Sequence, residues 1–176
     1  MLFPLRDVIP PRTAPVATWA LIGFTIVAQL ALFPRGHLLL LAANMIALRI
    51  FGENVEDQMG HGRFLGFCVV CGGTATLVLM WAGPFPRLEM PGTSGAVAGV
   101  MGAYFVMFFH SRVLVRLPLV IVEVPAIVFL ALWALVQVLG RRPIALYGPA
   151  SGLLAGAALV RWFRRPERAR WEWRGD

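Results

Sequence analysis

Six apolar runs, each close to the length that crosses a bilayer, constrain this chain more than any other feature. They cover Ala14–Phe33, His37–Phe51, Phe64–Ala82, Ser94–Phe109, Leu119–Leu139 and Ile144–Phe163. A helix needs about 20 apolar residues to span hydrocarbon, with about 17 as the short limit. Inside a bilayer each backbone N–H and C=O must be satisfied within the segment itself, and helices do this. The second and fourth runs are the shortest. Between the runs lie a tight Pro34-Arg35-Gly36 turn, a polar stretch from Gly52 to Gly60, and a Pro-rich loop from Gly83 to Gly92. The expectation is an all-α membrane protein, a bundle of six transmembrane helices. Residues 1–13 lead in, 14–163 form the transmembrane domain, and 164–176 make a basic tail.

Composition fits that solvent. Apolar residues are 59% of the chain and charged residues 14%, against about 25% charged in a soluble domain. The net charge of +7 comes from sixteen arginines and no lysine. In a soluble protein that balance would point to nucleic acid. Here the arginines sit between and after apolar runs, so the partner they imply is the anionic face of a lipid bilayer, not nucleic acid. With six spans, one side holds Arg6, Arg12, Arg63, Arg112, Arg116 and six more from Arg161 onward, and the other holds Arg35, Arg87, Arg141 and Arg142. Eleven against four places both termini in the cytoplasm. Arg49 lies near the inner end of its helix and stands four residues before Glu53, a spacing that pairs on one helix face. Residues 1–12 carry charge and three prolines, so they do not read as a signal peptide. Cys68 and Cys71 make a CxxC spacing, but thiolate chemistry is disfavoured in hydrocarbon, and they read as small packing residues. No cluster has metal-ligand spacing, and no cofactor is implied.

Several segments resemble one family, the rhomboid intramembrane serine proteases. Pro4-Leu5-Arg6-Asp7 with Ile9-Pro10 is similar to the cytoplasmic lead-in of bacterial rhomboids. Asn44-Met45, then Phe51-Gly52-Glu53-Asn54-Val55-Glu56-Asp57 and Met59-Gly60-His61-Gly62-Arg63-Phe64, resemble the second helix and its exit. Gly92-Thr93-Ser94-Gly95 resembles the GxSG segment that opens the fourth helix with the nucleophile. These segments span most of the chain in the family's order. The resemblance implies a rhomboid-like six-helix bundle in a bacterial inner membrane, with Ser94 in the nucleophile position and Asn44 in the oxyanion position. From the residues alone, Ser94 reads first as an N-cap, a role serine favours. Gly92 and Gly95 allow a sharp turn there, and a helix start offers free N–H groups.

The pattern then fails where a base is required, because serine is a poor nucleophile until its proton is taken. The family's base is a histidine on the sixth helix, in A-H-x-x-G-x-x-x-G. The matching stretch runs Gly148-Pro149-Ala150-Ser151-Gly152-Leu153-Leu154-Ala155-Gly156, and Pro149 stands in the histidine position. Leu40 stands where the family's second-helix H-x-x-x-N motif has its histidine. Only Pro34, Arg35 and Gly36 replace the family's long first loop. His61 belongs across the bilayer from Ser94, and His110 lies about 24 Å along the same helix at 1.5 Å per residue. His37, on a helix face with Leu40 and Asn44, is the remaining substitute base.

Gly148, Gly152 and Gly156 form a stripe that lets a neighbouring helix approach, facing Gly95, Ala98, Gly99 and Gly102 on the Ser94 helix. Three readings follow. The first is an inactive rhomboid-fold protein that binds transmembrane segments of other membrane proteins, as the family's inactive derlins and iRhoms do. The second is a working serine endopeptidase using Ser94, Asn44 and His37. The third is a transporter, for which Glu123 offers the one mid-helix charge.

Overall fold

The computed structural model describes residues 3–7, 14–32, 38–83, 92–108, 112–116, 121–139 and 146–164. The helices are α1 (Val16–Leu32), α2 (Leu38–Ala47), α3 (Glu53–Met59), α4 (His61–Ala82), α5 (Thr93–Met107), α6 (Ala126–Leu139) and α7 (Tyr147–Phe163). A π turn over Leu48–Gly52 joins α2 to α3 without a break. The expected first loop and Pro-rich loop fall outside the described residues, as does the basic tail beyond Arg164.

The polar stretch from Gly52 to Gly60 is helix rather than a loop. It continues the second rod to Met59 and stops at Gly60, whose φ of 80° favours glycine and whose N–H reaches back to the Glu56 carbonyl. The stretch folds as helix because its charges have partners within the protein. Arg49 pairs with Glu53, and its guanidinium lies over the Trp19 ring at 4.8 Å. Glu56, 1% exposed, accepts hydrogen bonds from the Ala17 and Thr18 N–H groups at 2.9 and 2.7 Å. Those amides begin α1 and have no partner within their own helix. A carboxylate there also meets the positive end of the helix dipole. The Oε1 that accepts from Ala17 is also bonded by His61 Nδ1. One side chain therefore ties the start of α1, the end of α3 and the start of α4.

A second correction concerns the fifth run. Helix α6 begins at Ala126, not Leu119, and the preceding residues form a strand. Strands β1 (Phe3–Asp7), β2 (Arg112–Arg116) and β3 (Ile121–Pro125) make an antiparallel sheet in that order. Val113 pairs with Val124 and Val115 with Val122, and β1 carries a bulge between Pro4 and Arg6. The β-branched alternation of Arg-Val-Leu-Val-Arg and Ile-Val-Glu-Val suits a pleated strand better than a helix. Glu123 is thus on a strand opposite Leu114, not inside a membrane helix. The transporter reading loses its one mid-helix charge.

Two rods, Leu38–Met59 and His61–Ala82, are by themselves long and apolar enough to cross a bilayer; α1, α5 and α6 are shorter apolar helices. The burial pattern is that of a bundle with an apolar exterior. Val69, Leu77, Trp81 and Trp162 are exposed, Trp81 to 90%. Inside, α5 is buried along most of its length from Ser94 to Tyr104. Tyr104 packs edge-on to Phe51, with ring centroids 4.6 Å apart, and lies beside Phe108.

Helix α5 packs most extensively on α7, and glycine makes this possible. A methyl group on Gly152 would strike the Gly95 carbonyl oxygen, and one on Gly156 would strike that of Gly99. The matched steps of 95 with 152 and 99 with 156 make the two helices parallel. On its other side Gly99 faces Cys71, whose Cβ would lie 2.5 Å from an added methyl. Gly148 differs from its stripe-mates: its nearest neighbour, Leu79 Cδ2, is 3.9 Å away.

Two stability tests follow. Replacing Glu56 with alanine leaves two buried amides without an acceptor and should cost about 3 kcal/mol in reversible unfolding in detergent; an unchanged unfolding curve would show that the cap contributes nothing. Gly156→Ala should cost about 1–3 kcal/mol through overpacking, while Gly148→Ala should be nearly neutral. Equal effects would contradict the backbone contact.

Candidate functional site

The GxSG segment opens α5 through a left-handed residue. Gly92 has φ +86° and is the N-cap, so Thr93 and Ser94 are the first two helical residues. Ser94 is therefore not the N-cap. Gly92 is also pressed against α4: a methyl there would lie 2.8 Å from Thr76 Oγ1 and 3.0 Å from the Gly72 carbonyl. Both its conformation and its crowding require glycine. Ser94 is buried, one residue before the Gly95 contact with α7. The arrangement puts the Ser94 hydroxyl in the first turn of a helix that starts from a left-handed glycine.

Since Gly95 meets Gly152 and Gly99 meets Gly156, the first turn of α5 lies level with residues 150–153 of α7. The turn of α7 that precedes this level contains Gly148 and Pro149, both buried. Pro149 is the third residue of α7, where a missing N–H removes no helix bond and the ring is readily accommodated. The helix is thus undisturbed by proline, and this position of α7 holds a pyrrolidine ring, which accepts no proton. Ser151, two residues on, donates to the Gly148 carbonyl at 3.0 Å.

Among the described residues the histidine present is His61, at the start of α4 and bonded to Glu56. Gly72, eleven residues further along α4, meets Gly92, so His61 lies about 16 Å down that helix from the GxSG turn at 1.5 Å per residue. The described carboxylates near it, Glu53, Glu56 and Asp57, belong to the same end of the rod. His37 and His110 are outside the described residues.

Asn44 is on α2 and buried, with Leu40 buried one turn before it. Its Oδ1 accepts two hydrogen bonds from α6, from Trp133 Nε1 at 3.1 Å and Gln137 Nε2 at 2.8 Å. An indole N–H can only donate, which settles which end of the amide faces α6. Trp133 and Gln137 are buried on a helix where Phe129 and Leu130 are half-buried and Leu132, Leu135 and Leu139 are exposed. The side chain in the family's oxyanion position therefore fastens α6 to α2. Sequence reasoning missed both donors. A lone glutamine in an apolar helix, four residues after a tryptophan, was the available signal.

The structure thus brings Gly95, next to Ser94, against Gly152 of the parallel helix α7, with Gly148 and Pro149 in the turn of α7 before that contact. Asn44 serves the neighbouring seam. A bundle of apolar-faced helices with a GxSG turn at its centre defines the rhomboid class of integral membrane proteins. The Rhomboid domain model matches residues 16–166, and the chain belongs to that family. No curated protein and no solved structure matches it.

Asn44→Leu removes the shared acceptor and strands two donors. At about 0.6 kcal/mol for an interhelical bond in a membrane, α6 should lose about 1 kcal/mol of attachment. Amide exchange should quicken in α6 and stay unchanged in α5 and α7. Combining it with Trp133→Phe and Gln137→Leu should restore slow exchange, since no donor is then left unpaired. Fast exchange in the triple variant would show that the bonds are not what holds α6.

Proposed function

We propose that this protein is a rhomboid-fold membrane protein that does not cleave peptide bonds and instead binds transmembrane segments of other membrane proteins. The observation that carries this reading is Pro149. It occupies the first turn of α7, two residues before the level of Ser94 on α5, at the position that matches the family's base. Proline takes no proton there, and without a base the Ser94 hydroxyl stays un-ionised and weakly nucleophilic. The glycine contacts that shape the bundle do not depend on that base.

In this reading all six rods cross the bilayer of a bacterial inner membrane. Residues 1–13 and 164–176 lie on the cytoplasmic side, in keeping with the eleven-to-four arginine distribution. The partners are lipid and the apolar helices of client proteins, which an apolar-faced bundle can meet by close packing. Nucleic acid has no part in it.

A second reading has a specific observation in its favour. Ser94 is buried in the first turn of α5 behind a left-handed glycine, the geometry an activated nucleophile would use. With His37 as base and Asn44 as oxyanion donor, the chain would be a serine endopeptidase. A fluorophosphonate probe separates the two. Applied to membranes containing the folded protein, it should give no labelling above that of Ser94→Ala. Labelling lost in Ser94→Ala would establish an activated serine and overturn the first reading, and its further loss in His37→Ala would identify the base.

A further inference from the structure

Helix α4 carries three glycines that contacts within the protein do not explain. Gly72 is required, since a methyl there would lie 2.9 Å from the Gly92 carbonyl oxygen. Among the described residues, a methyl on Gly62 or Gly73 would meet nothing within 4 Å, and one on Gly66 would meet Phe163 Cε1 of α7 at 3.7 Å. Glycine weakens a helix relative to alanine, so these positions lose stability without a packing gain inside the chain. At about 100° per residue, Gly62, Gly66 and Gly73 fall within about 40° of one another round α4. Val69 and Val70, both exposed, line the surface between Gly66 and Gly73. The result is a shallow apolar furrow about 17 Å long at 1.5 Å per residue, close to half of a hydrocarbon layer about 30 Å thick. Exposed Leu77 and Met80 close it beyond Gly73.

Helix α7 supplies the facing wall. A methyl on Gly148 would lie 3.9 Å from Leu79 Cδ2 of α4. Ala155 and Trp162 follow Gly148 at seven-residue steps, which keep to one helix face. Trp162 is 71% exposed. Next to it, Phe163 stacks edge-on with Phe67, ring centroids 5.5 Å apart. That contact sets the mouth of the furrow. Arg63 stands one turn before it on α4, on the face shared by Gly66, Phe67 and Val70. Arg164 follows it directly as the C-cap of α7. Arg63 is exposed. Arg164 is partly buried, and its enclosed Nε has no hydrogen-bond partner among the described residues. Among those residues no carboxylate pairs with either arginine.

Two guanidinium groups at the mouth of an apolar furrow match a phosphodiester that carries acyl chains. Guanidinium can grip phosphate through two N–H groups at once, and basic seams between membrane helices hold anionic headgroups. Arg63 is the third residue of a helix long and apolar enough to cross a bilayer, which puts it at headgroup depth. An exposed tryptophan suits the same depth. A second copy in symmetric contact would set the arginines of both copies against one another. A client helix crosses the whole hydrocarbon, whereas the furrow spans half of it.

We propose that the α4–α7 seam is a binding site for one anionic diacyl phospholipid, its phosphate held by Arg63 and Arg164 and one acyl chain lying along Gly62, Gly66 and Gly73. Trp162 flanks the mouth. The site rests on α4 spanning the membrane and does not depend on whether Ser94 is active.

Native mass spectrometry of the full chain tests it. The delipidated protein in detergent is titrated with phosphatidylglycerol or with phosphatidylcholine of the same chain length. One phosphatidylglycerol should be retained in preference to phosphatidylcholine. Arg63→Gln/Arg164→Gln should weaken its binding about tenfold or more. Arg161 is also exposed at this end of α7 but lies about 160° round the helix from Phe163, so Arg161→Gln should leave the affinity within about twofold. Gly73→Leu fills the furrow where a Cβ strikes no protein atom. It should weaken binding several-fold while unfolding stability is kept or raised, because leucine is the better helix former. Equal retention of the two lipids, or equal loss in Arg161→Gln and in Arg63→Gln/Arg164→Gln, would reduce the contact to diffuse charge and overturn the site. A dimer that displaces the lipid and is lost in Gly73→Leu would assign the furrow to a second copy and overturn it too. If a variant folds poorly, the unmodified protein decides: phosphatidylglycerol with a photoactivatable chain should label 66–73 and 155–162 above the exposed face of α1, and uniform labelling would contradict the proposal.

Discussion

Contact between the backbones of α5 and α7 is the constraint from which most of this architecture follows. Lipid offers helices no hydrophobic reason to associate, since its tails are as apolar as leucine, and attraction must come from close packing. Gly95 against Gly152 and Gly99 against Gly156 supply it. These steps set the two helices parallel, so that the turn containing Ser94 lies level with residues 150–153, directly after the turn containing Pro149. On its opposite face α5 meets Cys71 and Ala75 of α4. A helix enclosed in this way has no freedom to shift its first turn relative to its neighbours.

Polar groups then decide how the outer helices attach. Glu56 joins α1 to the base of the bundle through two backbone amides, and Asn44 joins α6 to α2 through an indole and an amide. Each uses a single buried acceptor for two donors on another helix. Such acceptors are costly to strand away from water and so specify one partner. The central pair is held by shape and the peripheral helices by hydrogen bonds. Asn44 shows how a side chain in a position associated with catalysis can carry a structural bond.

The candidate site keeps the glycine-shaped GxSG turn, and the α7 position that matches the family's base is Pro149. The left-handed Gly92, the buried Ser94 and the helix-start amides remain because α4 and α7 require those glycines for packing. Pro149 is accommodated because the first turn of a helix needs no N–H from it. Packing and chemistry are separable here: the residues that shape the turn also pack the core, whereas the base contributes to chemistry alone.

Much of this was legible in the chain. Apolar runs of membrane length gave the helices, and the Gly-Thr-Ser-Gly segment with the glycine stripe gave the family and the central pair, because length, periodicity and small residues are local properties. The Pro149 substitution could be read in register for the same reason. What the sequence left open depended on partners distant in the chain. Residues 53–59 looked like a polar loop until Arg49 and the α1 amides supplied counterparts for their charges. Residues 121–125 looked like the start of a membrane helix until Arg112–Arg116 supplied a strand to pair with. Gly148 looked equivalent to Gly152 and Gly156, and only the crossing of α7 over α5 separated them. Asn44 was legible as a polar residue in an apolar helix, but not its bonds to Trp133 and Gln137, about ninety residues away. A sequence specifies which groups need partners; the tertiary structure decided which partners they found, since pairing across helices and strands depends on register and depth, which no local pattern records.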